Sequence, residues 1–190
     1  MSRPAVFLDR DGTIIEDVGY LDAIDKIAWY PWSVDAIRAL NAAGLPVVVI
    51  TNQAGVARGY FAESLIDDVH RAIDAHLARG GARIDAYYYC PHHVDGSVEA
   101  YRIACDCRKP ACGMIDRAAR DLGLDPRRSV VVGDAWSDIG AARAAGARGL
   151  LVRTGSGRVK DTRGMTVEPD AVVDHLAAAA SWILTHVDRT

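Results

Sequence analysis

The chain has 190 residues, of which half are hydrophobic and a quarter are charged. Its 22 basic and 25 acidic side chains leave a net charge of −3, so it lacks the basic field that attracts nucleic acids or anionic membranes. These proportions exclude a disordered chain, and the length favours one globular domain over residues 1–190. The longest aliphatic run, residues 45–50, is too short to cross a bilayer.

Short apolar runs alternate with segments of helical period along the chain. The runs lack the polar alternation of half-buried strands, so they predict strands covered on both faces, as in a parallel sheet. They are residues 5–8, 47–50, 86–89, 130–132, 150–152 and, more weakly, 171–173. The predicted helices are residues 33–43, 62–79, 114–122, 137–145 and 174–186. This repetition predicts an α/β, doubly wound (Rossmann-like) fold.

Two acidic residues, Asp9 and Asp11, follow the first predicted strand, and Gly12 then allows a sharp turn. Ligands of open α/β sheets bind at the carboxyl ends of the strands, so both carboxylates should face that crevice. Two carboxylates at one strand end repel unless a cation or a proton separates their roles, and such a pair suits Mg²⁺. A plain acidic turn is the alternative, since Asp and Gly are common in loops.

Polar residues also occur at three later positions that border predicted elements. They are Thr51 and Asn52 after the second strand, Arg108 and Lys109 before the third helix, and Asp134 after the fourth strand with Asp138 one helical turn on. Each has an ordinary alternative as a helix cap, a solvated basic pair or a turn. Together they place carboxylates, a hydroxyl and a cation around the strand ends, which core packing does not require.

The four motifs resemble those of the haloacid dehalogenase superfamily of phosphohydrolases, in the same order. The matching residues are Asp9-x-Asp11-Gly12-Thr13, Thr51, Lys109 and Gly133-Asp134-x-x-x-Asp138. The resemblance implies that Asp9 attacks phosphorus to form an aspartyl-phosphate, and that Asp11 is the general acid and then the base. It implies that Thr51 and Lys109 bind the phosphoryl oxygens. It also implies Mg²⁺ held by Asp9, the Asp11 carbonyl and Asp134, with Asp138 as support.

Three cysteines and one histidine form two close pairs in the sequence. They are Cys90-x-His92 and Cys105-x-Cys107. This set predicts a closed, structural Zn²⁺ site, with His93 as a competing ligand by spacing and free thiols as the alternative. A secreted disulfide scaffold would spread its cysteines, and a nucleic-acid-binding zinc ribbon would carry more cations. Cys112 lies outside both pairs and is predicted to be a free thiol.

Segment 12–31 is too short for a separate cap domain, and segment 54–107 is taken up by a predicted helix, a predicted strand and the zinc loop, so a capless protein is expected. The acidic motif with a zinc loop is similar to the branch that contains heptose bisphosphate and histidinol-phosphate phosphatases. The flap at residues 17–20, the second motif and the long zinc loop favour heptose, although Ala135 stands where some heptose enzymes carry Lys. The resemblance implies substrate contacts from seven residues: Asp17, Gly19, Tyr20, Asn52, Gln53, Arg58 and Arg108.

We therefore expect a monomeric, Mg²⁺-dependent phosphatase that removes the C7 phosphate of D-glycero-D-manno-heptose 1,7-bisphosphate in nucleotide-activated heptose biosynthesis. Histidinol phosphate or another small phosphomonoester is the alternative substrate. A phosphorylation-receiver domain is disfavoured because its acceptor Asp follows a middle strand, and a binding module because every catalytic residue type is present. A cytoplasmic location is expected because charged residues precede any apolar segment of signal-peptide length.

Overall fold

The computed structural model describes residues 2–158 and 167–187, and within them six strands form one parallel sheet. The strands are β1 (Val6–Leu8), β2 (Val47–Asn52), β3 (Ala86–Cys90), β4 (Val130–Gly133), β5 (Arg148–Val152) and β6 (Ala171–Val173). The longer helices are α1 (Ser33–Ala42), α2 (Ser64–Arg79), α3 (Gly113–Leu122), α4 (Trp136–Ala145) and α5 (Leu176–His186). The strand order is β3-β2-β1-β4-β5-β6, which confirms the predicted doubly wound fold.

Helices cover both faces of the sheet, and alternate strand residues separate two apolar clusters. Val6 and Leu8 of β1 belong to a cluster that also contains buried residues of α1, α2 and α5. Phe7, between them, belongs to a second cluster with buried residues of α3 and α4. Because each face is covered, every position of β1 is apolar and fully buried. This explains why the strands appear as continuous apolar runs in the sequence.

Successive strands are added to the sheet on one side of β1 up to β3 and on its other side from β4 onward. The chain passes from β1 to β2 and β3 on one side, and β4 then pairs with the other side of β1. The crevice at such a switch point is where open α/β sheets bind ligands. Asp9 follows β1 and Asp134 follows β4, and the Asp9 amide donates to the Val132 carbonyl at 2.9 Å. Both carboxylates therefore lie at the switch point.

Four strands, β2 to β5, are longer than predicted, and β2 gains two polar residues that still pair. Thr51 and Asn52 lie within β2, opposite Tyr89 and Cys90 of β3. The described part of segment 12–31 contains only a 3₁₀ turn, Ile24–Lys26, and segment 54–107 contains α2, β3 and the turn Glu99–Tyr101. Neither segment therefore forms a separate cap domain. None of the described helices has the length and apolar character needed to cross a bilayer.

Candidate active site

Lys109 lies at the centre of the crevice and is buried. Its Nζ donates to Asp9 Oδ1 at 2.7 Å and to the Ile50 carbonyl at 2.8 Å, and it pairs with Asp138 Oδ1 at 2.6 Å. Burial alone would lower the pKa of Lys109, but the adjacent Asp138 and Asp9 carboxylates raise it above its ordinary value. The ammonium is thus held charged and fixed by oxygens from three separate elements.

Three carboxylates meet beside this ammonium. One oxygen each from Asp9, Asp134 and Asp138 lies within 4.8 Å of the others. Burial raises the pKa of Asp9 well above its ordinary value, with Lys109 opposing and Asp138 and Asp134 adding to the effect. Burial and the neighbouring Asp138 raise the pKa of Asp134 to about 7. Because crowded carboxylate oxygens are relieved by positive charge and are the ligands that Mg²⁺ prefers, this set fits that cation.

Glycines let the backbone approach the Asp134 carboxylate closely. Gly12 has a φ of +83°, and a Cβ built there would lie 2.5 Å from Asp134 Oδ2. Gly155 also has a positive φ, and a Cβ there would overlap the same carboxylate. The Ser156 amide donates to Asp134 Oδ2 at 2.6 Å. The carboxylate is therefore packed between two backbone segments in a way that side chains at these glycines would prevent.

Asp11 is held by side chains that the sequence analysis did not assign to it. The Arg10 side chain is buried, and its Nε lies 3.2 Å from both Asp11 oxygens while its Nη2 lies 3.0 Å from Oδ2. Gln53 Nε2 donates to Asp11 Oδ2 and to Thr51 Oγ1, both at 2.8 Å. Because the Thr51 oxygen accepts that bond, its own proton is free for a phosphoryl oxygen. The only signal for Arg10 in the sequence was its position between two acidic residues.

The amide of Asn52 binds the backbone of Lys109. Its Nδ2 donates to the Lys109 carbonyl and its Oδ1 accepts from the Lys109 amide, both at 3.1 Å. Asn52 and Gln53 were both predicted to contact substrate. Their hydrogen bonds let Asn52 position Lys109 and let Gln53 position Asp11 and Thr51. That the two residues also contact substrate stays a prediction.

Two adjoining cavities occupy the crevice. The catalytic cavity, about 200 Å³, is lined by the residues of the four motifs together with Asp17 and Gly19 of the flap. A second cavity of about 420 Å³ shares Asn52, Lys109 and Ser137 with it and is also lined by Arg108. The two cavities thus adjoin at Lys109, and together they could hold a substrate larger than its reacting phosphate.

Three predicted substrate residues lie outside the linings of these cavities: Gln53, Tyr20 and Arg58. The Tyr20 ring packs edge-on against Tyr60, with ring centroids 4.5 Å apart. Arg58 Nη2 lies 3.4 Å from Nε2 of His93, and His93 lines the second cavity. Tyr20 and Arg58 therefore support neighbours at the crevice edge in this conformation.

Cys90, His92, Cys105 and Cys107 form a compact cluster at the end of β3 and in the following loop. Neighbouring donor atoms are 3.3 to 3.8 Å apart, from Cys105–Cys107 Sγ at 3.3 Å to Cys90 Sγ–His92 Nδ1 at 3.8 Å. A tetrahedral ion with Zn–S bonds of about 2.3 Å requires sulfur atoms about 3.8 Å apart. The observed sulfur–sulfur distances, 3.3 and 3.5 Å, are slightly shorter, and the set of three thiols and one imidazole is compatible with Zn²⁺.

Two other residues of this region lie apart from the cluster. His93 Nδ1 accepts from the Asp95 amide at 3.1 Å, so its ring is engaged elsewhere and His92 is the histidine of the cluster. Cys112 Sγ donates to Asp116 Oδ2 at 3.1 Å. Cys112 is thus a free thiol with a local partner, as predicted.

The chain is similar to known phosphatases in sequence. Residues 106–179 match the HAD-hydrolase-like family. The chain is 50% identical over 148 residues to the D-glycero-β-D-manno-heptose-1,7-bisphosphate 7-phosphatase of Rhodopseudomonas palustris, covering 78% of the chain and 82% of the relative. It is 42% identical to the enzyme of the same name from Escherichia coli K12, covering 96% of the chain and 89% of the relative.

Solved structures are also similar. The D,D-heptose 1,7-bisphosphate phosphatase of B. bronchiseptica, crystallised with magnesium and phosphate, aligns with a TM-score of 0.86 and 35% identity over 97% of this chain and 99% of that one. The corresponding phosphatase of Burkholderia thailandensis aligns with a TM-score of 0.70 and 31% identity over 96% of this chain and 99% of that one. Sequence and structure therefore lead to the same group of proteins.

Proposed function

The chain belongs to the haloacid dehalogenase-like phosphatases, in the group of the heptose bisphosphate phosphatases, and we propose that it hydrolyses the C7 phosphate of D-glycero-β-D-manno-heptose 1,7-bisphosphate. The observation that carries the proposal is the Asp9 carboxylate 2.7 Å from the buried Lys109 ammonium, in a cavity that adjoins a second, larger one. The choice of substrate is supported by relatives that match most of the chain and are named as phosphatases of this compound.

Asp9 is the nucleophile in the proposed reaction. Its carboxylate oxygen forms a bond to phosphorus while the bond from phosphorus to the C7 oxygen breaks, and Asp11 gives a proton to that oxygen. In the second step Asp11 takes a proton from water, whose oxygen displaces Asp9 from phosphorus and releases inorganic phosphate. Arg10 and Gln53 keep the Asp11 carboxylate at one place for both transfers.

Lys109 and Thr51 bind the phosphoryl oxygens, on which negative charge is concentrated in the transition state. Three oxygens already fix the Lys109 ammonium, so little reorganisation is needed when the phosphate enters. Asp9, the Asp11 carbonyl and Asp134 would hold Mg²⁺, with Asp138 beside them. When bound, Mg²⁺ supplies positive charge next to the reacting phosphoryl group.

The Cys/His cluster would hold a structural Zn²⁺, since four donors at tetrahedral spacing leave no open position. We further propose that the enzyme acts as a monomer in the cytoplasm. All of the catalytic groups come from one chain, and none of the four cysteines is in a disulfide, as a reducing compartment allows. That residues 1–190 form one domain stays a prediction.

A phosphate-release assay on a substrate panel tests the function. The panel contains heptose 1,7-bisphosphate, histidinol phosphate, fructose 1,6-bisphosphate and p-nitrophenyl phosphate. We expect the highest kcat/KM for heptose bisphosphate and release of its C7 phosphate alone. A preference for histidinol phosphate would overturn the substrate, and absence of turnover on every compound would overturn the activity.

Arg108 is the proposed partner of the distal phosphate. It lines the second cavity and makes one described hydrogen bond, from Nη1 to the His92 carbonyl at 3.3 Å. We expect Arg108→Ala to lower kcat/KM for heptose bisphosphate roughly 10- to 100-fold, because charge-assisted hydrogen bonds are lost, and to spare p-nitrophenyl phosphate. Exposed Arg102 of the same loop provides the control, Arg102→Ala. Equal losses on both substrates would place Arg108 at the reacting phosphate instead.

A further inference from the structure

The second cavity has an apolar rim that faces solvent. Val94, Ile103 and Trp136 all line it, and they are 59%, 45% and 48% exposed. Large apolar side chains that stay exposed around one concave surface are typical of a site that a ligand covers. The catalytic mechanism uses none of these three side chains.

The lining of the same cavity also carries polar groups and positive charge. Arg108 and His93 are part of it, and Lys109 and Ser137 line both this cavity and the catalytic cavity. A ligand that suits both parts has an apolar face and a negative charge. A phosphorylated sugar has this chemistry, since one face of its ring exposes C–H groups and its phosphate is anionic.

We propose that Trp136 is a stacking platform for the sugar ring of the substrate, with Val94 and Ile103 closing the opposite side. The inference rests on the proposed function and deepens it, because it assigns the body of the sugar to a surface distinct from the phosphate-binding groups. Indole offers a flat apolar face with few rotatable bonds, which suits a ring of C–H groups. Trp136 is therefore a specificity residue for cyclic sugar phosphates.

Neighbouring residues anchor the backbone on both sides of this rim. Trp136 is the first residue of α4, two positions after Asp134, and the preceding Ala135 amide donates to Asp138 Oδ2 at 3.0 Å. Val94 lies two positions after His92, and Ile103 two positions before Cys105, so the Cys/His cluster anchors the opposite wall. A preformed slot loses little conformational entropy when the ring enters.

Steady-state kinetics of Trp136→Ala test the proposal with two substrates, heptose 1,7-bisphosphate and acetyl phosphate, which has no ring. We expect KM for heptose bisphosphate to rise roughly three- to tenfold, as loss of one aromatic contact implies, with kcat changed less than about twofold. Acetyl phosphate kinetics should not change. Trp136→Tyr should recover most of the loss, because it restores an aromatic face. Val172→Ala, which removes an exposed side chain on β6, is the control.

A binding measurement without turnover supplies a second readout. In the Asp9→Asn background, heptose bisphosphate should change the intrinsic tryptophan fluorescence, and Trp136→Phe should abolish the change. Unaltered heptose bisphosphate kinetics in a folded Trp136→Ala would overturn the proposal, and so would equal losses on acetyl phosphate. Failure of the wild type on heptose bisphosphate would instead refute the proposed substrate. The stacking proposal would then fall as well if the preferred substrate in the panel had no sugar ring.

Discussion

At the scale of single residues, the site is a chain of side chains that orient one another. Asn52 binds the backbone of Lys109, and Lys109 in turn contacts Asp9. Arg10 and Gln53 hold Asp11, and Gln53 also orients Thr51. Each of these catalytic groups thus has a partner that fixes its position. Removing a partner should lower activity by displacing the catalytic group that it holds.

The two acidic residues of the first motif should respond differently to loss of charge. Asp9→Asn should abolish phosphate release, because no nucleophile remains to form the covalent intermediate. Asp11→Asn should slow it by roughly 10²- to 10⁴-fold, the usual contribution of general acid–base catalysis. Phosphate release is measured on purified protein whose circular dichroism matches the wild type. Wild-type turnover by Asp9→Asn would exclude the covalent route.

The positioning role of Gln53 can be separated from a structural one by a double-mutant cycle. Gln53→Leu keeps the approximate shape but removes the donor to Asp11 and Thr51, so we expect kcat to fall about tenfold, the value of one or two hydrogen bonds. In the Asp11→Asn background, Gln53→Leu should lower kcat much less, because the Asp11 carboxylate that Gln53 orients has already lost its catalytic function. Additive losses would mean that Gln53 does not act through Asp11.

At the scale of elements, the loop between β3 and α3 carries both the metal-ligating residues of the Cys/His cluster and residues that line the second cavity. His92, Cys105 and Cys107 alternate along it with residues that line the second cavity, and Arg108 and Lys109 follow Cys107 directly. A cation bound by the cluster would therefore fix the part of the second cavity that this loop forms. The loop is too polar to be stabilised by an apolar core of its own, so the bound ion would stabilise it instead.

Loss of one ligand should release the metal and loosen this wall. We expect about one zinc per chain in the wild type, retained after EDTA has removed Mg²⁺, and less zinc and a lower Tm in Cys105→Ser. Cys112→Ser is the matched control, since Cys112 contacts Asp116 and lies outside the cluster. Elemental analysis and thermal unfolding measure both effects. An active, stable wild type without zinc would refute the assignment.

At the scale of the whole molecule, the fold was largely predictable and the contacts within the site were not. Continuous apolar runs such as residues 130–132 mark buried strands because both faces of this sheet are covered. The motif residues were found because the carboxyl ends of parallel strands meet at one edge. The hydrogen bonds of Arg10, Asn52 and Gln53 could not be predicted, because the partners of a side chain depend on register and rotamer, which residue types do not determine.

A buried histidine makes the stability of the molecule depend on pH. Burial and the nearby Arg10 lower the pKa of His70 from 6.5 to about 3, so the folded state favours the neutral ring. The unfolded chain binds a proton below about pH 6.5, so this stabilisation is fully present above that pH and is lost as the pH falls toward 3.

His70→Phe tests this dependence while keeping a ring to stack on Tyr87, whose ring centroid lies 4.2 Å away. Between pH 6.5 and 4 the free energy of unfolding of the variant should fall less steeply than that of the wild type. The difference in slope should approach about 1.4 kcal/mol per pH unit, the value for one proton. Urea unfolding at several pH values measures it, and identical slopes would contradict the prediction.

The switch point between β1 and β4 also has a consequence for how activity is acquired during folding. Asp9 and Asp134 meet only when two strands far apart in sequence pair, and Thr154 Oγ1 donates to the Gly12 carbonyl across 142 positions. Such non-local contacts form late, because closing a long loop costs entropy before the contact repays it. A nascent chain that ends before β4 has the nucleophile but not the opposing carboxylate. Catalysis therefore begins only once the two halves of the sheet have joined.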